Sequence, residues 1–244
     1  MCGIAGYVGK TSYPYNCLDE MAKAINHRGP DDRGVWTDQA AGVALSHARL
    51  SIIDLSPAGH QPMESASGRY ALVFNGEIYN HMNIRKVLES STPKIIEWKG
   101  HSDTETLLAA IVEWGVEKAL NECVGMFSIA LWDKQEKILT MARDRMGEKP
   151  LYYGWQGDSF LFGSELKALK MHPSFRGQID RDSLSLYFRY NNIPAPFSIY
   201  RDIYKLAPGS ILSLRQGEKK YKVRKYWSVF NTAIKGLSNL SKNT

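Results

Sequence analysis

Apolar positions along this chain change their spacing repeatedly, and each change predicts an element. The runs "IAGYV" (4–8), "GVALSHARL" (42–50) and "RYALVFNG" (69–76) are short and apolar, as strands are. The last ends in Asn75-Gly76, a turn-favouring pair, so that strand is expected to stop there. "EIYNHMNIRKVLES" then sets Ile78, Met82 and Arg85 along one helical face. "SDTETLLAAIVEWG" does so more clearly with Leu107, Ile111 and Trp114, and Ser102 followed by Glu105 reads as a capping box with Asp103 in the first turn. A meander of short strands follows in "GMFSIALWD", "KILTMARD", "PLYYGW" and "SFLFGS". "SELKALK" and "DRDSLSLYFRY" return to helix, "GSILSLRQ" and "YKVRKYW" to strands, and "NTAIKGLSNLSKNT" is polar and weakly patterned, as a loose tail is.

Strands grouped in antiparallel runs with helices between them predict an α+β layered fold rather than alternating βαβ units. One domain over residues 1–227 accounts for the patterned part, with 228–244 as a loose tail or the start of a further domain.

Composition narrows the function classes. Hydrophobic residues make up 43% of 244, ample for a packed core. The net charge of +6 is local: from Arg215 onward there are eight basic residues and one acid, leaving 23 basic against 24 acidic before it. "RQGEKKYKVRKYW" alternates charge with Tyr221, Val223 and Tyr226, the pattern of a solvated strand pair turning at Gly217. Lysines on an exposed edge discourage edge-to-edge pairing, so nucleic acid is not expected as a partner. Three cysteines without metal-like spacing suit a reducing compartment, and no stretch reads as a signal peptide or a membrane span. A cytoplasmic protein without membrane contact is the expectation.

The candidate chemistry begins at Cys2. Were Met1 removed, which a small second residue permits, Cys2 would carry both a thiol and a free α-amine. An α-amine has an ordinary pKa of about 7.7–8.0 and a thiol about 8.5, so the amine can take the thiol proton near neutral pH. Position 2 alone leaves the plainer alternative open, a small residue starting a strand.

The words "MCGIAGYVG", "HRGPDDRG", "SHARLSIIDLSPAGHQPM", "VFNGEIYNH", "SDTE", "GMFSIALWD", "RDRMGEKPLYY" and "FGSELKAL" occur in this order. Together they resemble the class II glutamine amidotransferase domain of glutamine-hydrolysing asparagine synthetases, over nearly everything to Trp227. The resemblance implies an N-terminal-nucleophile hydrolase fold, a four-layer αββα sandwich of two antiparallel sheets. It also implies glutamine as substrate: Cys2 attacks its side-chain amide, and Asn75 and Gly76 stabilise the oxyanion through a side-chain NH2 and a backbone N–H. Arg49 matches the residue that grips the α-carboxylate, Glu77 and Asp103 the acids near the α-ammonium, and Leu50, Ser51, Ile52 and Ile53 the pocket wall. "NGEIYN" is expected to open a helix. His27 and His47 are expected to be structural, "HRGPDD" a turn ordered by Gly29-Pro30, "RDRMGEKPLYY" a scaffold whose charges pair internally, and Cys17 and Cys123 inert.

Domains of the same class in glucosamine or purine precursor synthesis also begin with cysteine, but "HARLSIID" and "NGEIYN" look like the asparagine synthetase branch. A regulatory domain keeping only the fold is the remaining alternative, and the intact residue set speaks against it. No serine-glycine-rich pyrophosphate loop like that of the family's synthetase domain occurs in the 244 residues. The expectation is a fragment or truncated product, or else a stand-alone glutaminase with a separate ATP-dependent synthetase partner. No cofactor is implied for this domain; ATP and Mg would belong to a synthetase domain elsewhere. A homodimer is left open.

Overall fold

The computed structural model describes residues 1–9, 16–91 and 96–240. The chain opens with β1 (Gly3–Val8), α1 (Asn16–Ala24), β2 (Asp32–Asp38) and β3 (Val43–Arg49). Next come β4 (Met63–Glu64), β5 (Tyr70–Ile78), and three helices, α2 (His81–Ser91), α3 (Asp103–Trp114) and α4 (Val116–Glu122). The predicted meander is β6 (Gly125–Asp133), β7 (Ile138–Arg143), β8 (Tyr152–Gln156) and β9 (Ser159–Gly163). The remainder is α5 (Leu166–Lys170), α6 (Arg181–Tyr190), β10 (Tyr204–Lys205), β11 (Ser210–Arg215), β12 (Lys222–Lys225) and α7 (Val229–Leu240).

The strands form two six-stranded sheets, ordered β10-β8-β9-β1-β3-β2 and β12-β11-β7-β6-β5-β4, with every pairing antiparallel. Alternation along each strand divides its side chains between two cores. Ile4, Val8, Val43, Leu45, Phe160 and Phe162 of the first sheet meet Ala71, Val73, Ala130, Trp132, Leu139 and Met141 of the second in a shared core. The opposite parity of the second sheet, including Leu72, Phe74, Phe127 and Ile129, packs on α2, α3 and α4. Ala5 and Leu161 on the outer face of the first sheet pack with Met21 and Leu169 from α1 and α5. Four layers result, helix on sheet on sheet on helix, because both sheets are apolar on both faces. Burying each large core side chain, Trp132 or Phe160 for example, contributes roughly 2–3 kcal/mol.

Three local expectations are corrected. β5 does not stop at Asn75-Gly76 but continues to Ile78, since Asn75, Gly76, Glu77 and Ile78 stay in register with Ser128, Phe127, Met126 and Gly125 of β6. "NGEIYN" therefore opens no helix; α2 starts at His81, and its buried face is Ile84, Arg85 and Leu88 while Met82 is exposed. The segment expected as a loose tail or the start of a further domain is not loose over 229–240 but holds α7, with Phe230 and Leu237 exposed; residues 241–244 lie outside the described part. The basic stretch is the ribbon expected: β11 and β12 pair around Gly217, whose φ is 80°, and all four residues of β12 are exposed at the sheet edge.

Candidate active site

The sheets bring two strand ends together. β1 begins at Gly3, so Cys2 stands at the very start of a ladder that pairs Gly3 with Ala48 and Ile4 with His47. The thiol is partly buried against Leu50, whose N–H reaches Sγ at 3.4 Å. From the other side Arg28 Nε donates to the Cys2 carbonyl at 2.9 Å, and Arg28 Nη1 to Glu165 at 2.9 Å. The strand start is thus held by a charged clasp that the sequence reading did not single out. Burial pushes the Cys2 thiol above its ordinary value. The Leu50 N–H and the terminal ammonium pull it back, Asp103 adds to the rise, and Arg49 opposes it.

β5 supplies the second strand end. β4 pairs with β5 only through Leu72 and Ala71, so beyond Leu72 that edge is free of strand partners. The Phe74 N–H leaves this edge to Gln61 Oε1 at 2.7 Å, and the Ile78 N–H to Asp103 Oδ2 at 2.8 Å. Gly76 shares their parity, so period-two alternation points its N–H out of the same edge, between them. A Cβ at Gly76 would lie 2.3 Å from the Met126 carbonyl oxygen, which is why the position holds glycine. Asn75 has the parity of Ala71 and Val73 and points between the sheets; it is 0% exposed, and neither Nδ2 nor Oδ1 has a hydrogen-bond partner. A buried amide without partners costs about 1–3 kcal/mol, a cost characteristic of positions kept for a ligand or transition state.

His47 fixes this end from β3. Its Nε2 lies 3.0 Å from the Phe74 carbonyl, which can only accept, so the proton sits on Nε2. Complete burial lowers its pKa to about 4, leaving the ring neutral near pH 7. The expected structural role holds for this residue. His27 is exposed and meets Glu165 at 3.0 Å, on the outside of the Arg28 clasp.

Opposite charges line the same cleft. Arg49, the last residue of β3, donates Nη1 to the Ser56 carbonyl at 3.1 Å and Nη2 to the Asp54 carbonyl. Gly59 allows its approach, since a Cβ there would fall 2.0 Å from Nη2. Asp103, first residue of α3, follows the N-cap Ser102, whose hydroxyl accepts the Glu105 N–H at 3.2 Å. Glu105 does not complete the box; its carboxylate accepts from the N–H groups of Lys99 and Gly100 instead. Burial raises Asp103 to about 6, against the pull of the Ile78 and Thr104 N–H groups and with the help of Glu77's charge.

Of the ten residues singled out from the sequence, nine line this one cleft: Cys2, Arg49, Leu50, Ile52, Ile53, Asn75, Gly76, Glu77 and Asp103. Ser51 does not; its N–H donates to Asp31 at 2.8 Å and fastens the loop to the "HRGPDD" segment. That segment is more than a turn. Gly29 packs so closely on the end of β3 that a Cβ would lie 2.3 Å from the Ala48 oxygen, and Asp31 N–H bonds the Arg49 carbonyl.

"RDRMGEKPLYY" also differs from expectation, because its charges bind backbone rather than one another. Asp144 accepts the N–H groups of Phe127, Met146, Glu148 and Lys149, and Arg143 donates to the carbonyls of Gly147, Lys149 and Leu206. The turn they hold brings a buried lysine to the cleft: Lys149 Nζ is 2.8 Å from Met1 Sδ. Burial, then the charge of Arg28, lowers its pKa. Cys17 and Cys123 lie buried away from the cleft, their thiols pushed up by burial to about 11 and about 12. Among the described residues no cluster of three or more His, Cys, Asp or Glu could hold a metal, and no helix is long and apolar enough to cross a membrane.

The family described as "Glutamine amidotransferase domain" matches residues 1–227. The chain belongs to that family. This amidotransferase domain is 35% identical over 240 residues to "Asparagine synthetase [glutamine-hydrolyzing] 3" of Bacillus subtilis, covering 94% of this chain and 37% of that relative. It is 33% identical to "Putative asparagine synthetase [glutamine-hydrolyzing] 2" of Methanocaldococcus jannaschii, covering 94% and 47%. The amidotransferase domain thus spans between about a third and a half of the curated relatives it matches. Among solved structures, glutamine phosphoribosylpyrophosphate amidotransferase from B. subtilis shares the fold with a TM-score of 0.66 at 19% identity, over 93% of this chain and 49% of that one. The expected four-layer sandwich of two antiparallel sheets is therefore the observed fold.

Proposed function

We propose that the chain, once Met1 is removed, hydrolyses glutamine to glutamate and ammonia with Cys2 as nucleophile. The observation that carries this reading is one cleft lined by a partnerless buried amide, a strand-start thiol, an arginine and a buried carboxylate. Glutamine matches that layout: a side-chain amide to be attacked, and an α-carboxylate and α-ammonium to be held.

The α-amine of Cys2 takes the thiol proton, and the thiolate adds to the glutamine amide carbon while the carbonyl electrons move onto oxygen. Asn75 Nδ2 and the Gly76 N–H donate to that oxyanion. Its collapse expels ammonia, protonated by the ammonium just formed on Cys2, and leaves a γ-glutamyl thioester. Water, giving its proton to the same amine, attacks the thioester and releases glutamate. Arg49 grips the α-carboxylate with its planar fork, Asp103 and Glu77 face the α-ammonium, and Leu50, Ile52 and Ile53 wall the site. The reaction so written needs no metal or cofactor.

The ammonia is proposed to serve an ATP-dependent synthetase domain, with aspartate as acceptor. The names of the relatives support that acceptor; another acceptor, or a separate synthetase subunit, is the second form of the same reading. Glutamate and ammonia release from glutamine, followed with the Met1-free chain, tests the proposal. Turnover is expected in the parent and none above background in Cys2→Ala, with circular dichroism unchanged. Persisting turnover in Cys2→Ala would refute the mechanism.

A further inference from the structure

We propose that Asp54 is a positioning residue that couples the two charge-binding ends of the substrate clamp, a role that rests on glutamine being the substrate. Asp54 is buried between the loop after β3 and the loop before α3. Its Oδ1 accepts the Ser56 N–H at 2.8 Å, and its Oδ2 accepts the His101 N–H at 2.8 Å. The first bond shapes the turn whose two carbonyls, of Asp54 and Ser56, receive the Arg49 guanidinium. The second pins the backbone two residues before Asp103. One carboxylate thus sets both the arginine that faces an α-carboxylate and the acid that faces an α-ammonium.

The surroundings keep this bridge in place. Gly100 permits it, because a Cβ there would lie 2.3 Å from Asp54 Oδ2. On the far side of the same loop, Arg85 donates to the carbonyls of Gly100 at 3.0 Å and Ser102 at 3.1 Å, with Glu105 beside it at 3.3 Å. The loop is therefore braced from outside by Arg85 and Glu105, and drawn toward Arg49 by Asp54. Hydrogen bonds from Ser56 and from the His101 N–H, with Arg49 nearby, hold the Asp54 carboxyl at about 2, so the bridge stays charged through the working pH range.

The test uses a glutamine-shaped diazoketone carrying a free α-carboxylate and α-amine, which alkylates a nucleophilic thiol, and iodoacetamide, which has neither group. Both are applied to the Met1-free chain and to its Asp54→Ala and Asp54→Asn variants. In Asp54→Ala the diazoketone's saturation constant should rise about 30-fold, with its limiting rate and the iodoacetamide rate changing less than about threefold. Asp54→Asn keeps one acceptor oxygen and should rise by about fivefold, giving a reading should the alanine variant fold poorly. Arg49→Lys should cost less in the Asp54→Ala background than in the parent, since the turn that orients Arg49 is already lost. An unchanged saturation constant in both variants, or a fall in iodoacetamide reactivity parallel to that of the diazoketone, would overturn the assignment. A parent chain that the diazoketone labels without saturation would instead refute the glutamine reading itself, before any variant is compared.

Discussion

The two ends of the cleft are built differently. The chemistry end stands on ladders: Gly3 is paired with Ala48, Asn75 with Ser128 and Gly76 with Phe127, and His47 joins the two sheets at the Phe74 carbonyl. At the recognition end the side chains are held outside the ladders: Arg49 ends β3, but its guanidinium rests on two carbonyls of the turn that follows, and Asp103 starts a helix and is held by one strand N–H. Beside it Ile52 and Leu55 are 64% and 78% exposed, whereas Asn75 is wholly buried. Ladder bonds fix backbone cooperatively over several residues; a side chain bonded to a loop is fixed only as well as that loop. An oxyanion appears for a moment at one place and needs donors set beforehand, while two full charges on a substrate can be gripped by groups that adjust.

Three substitutions separate ladder-held from loop-held groups. The largest effect is expected at the ladder end: Asn75→Ala should lower kcat by about 10²–10³-fold and leave KM within a few-fold. A change confined to KM would remove Asn75 from the oxyanion-stabilising role. At the loop end Arg49→Lys keeps the charge but loses the fork, so KM for glutamine should rise about 10- to 100-fold with kcat nearly unchanged.

The smallest effect is a pH dependence at Asp103. In the proposed role its carboxyl is charged to face an ammonium, and burial raises its pKa to about 6. KM for glutamine should therefore rise as pH falls below about 6, and lose that dependence in Asp103→Asn. Stability runs the other way. The unfolded chain releases this proton near 3.9 and the folded chain near 6, so folding loses stability as pH rises between the two values. Asp103→Asn should raise the Tm above pH 6 and give no such gain at pH 4; an equal Tm shift at both would place the effect in packing rather than charge.

Much of the fold was legible because both sheets are buried on both faces. "GMFSIALWD" is β6 residue for residue, and the meander after it follows the pattern closely. The reading failed at Asn75-Gly76, where local chemistry favours a turn. Pairing with β6 overrides it, and the glycine is there for the close approach of the Met126 carbonyl. Ile78 was misassigned to a helix face for the same reason, since the strand runs on to claim it. α7 escaped because the polar segment begins at Asn231, leaving out Val229 and Phe230, whose spacing to Ala233, Ile234 and Leu237 is helical.

The site was legible through side chains that would face the substrate, and less so through those that hold backbone. Arg28 bonds the Cys2 carbonyl across 26 residues, Asp54 the His101 N–H across 47 and Lys149 the Met1 sulfur across 148, so their spacing carries no period to read. "EKPLYY" did contain the signal for Lys149: a lysine at the start of an apolar strand is a lysine at risk of burial. Ser51 shows the converse error, a residue grouped with its neighbours by adjacency although its backbone faces Asp31.

Turnover by this mechanism requires the Cys2 amine to be free. Glutamine turnover is best compared between the Met1-free chain and the same chain kept with a blocked extension ahead of Cys2, with intact mass verifying each terminus. Glutamate release is expected from the first and a loss of at least about 100-fold in the second, with a γ-glutamyl or diazoketone adduct on Cys2 and none on Cys17 or Cys123. Equal turnover by the two forms, or an adduct on either buried cysteine, would contradict the mechanism.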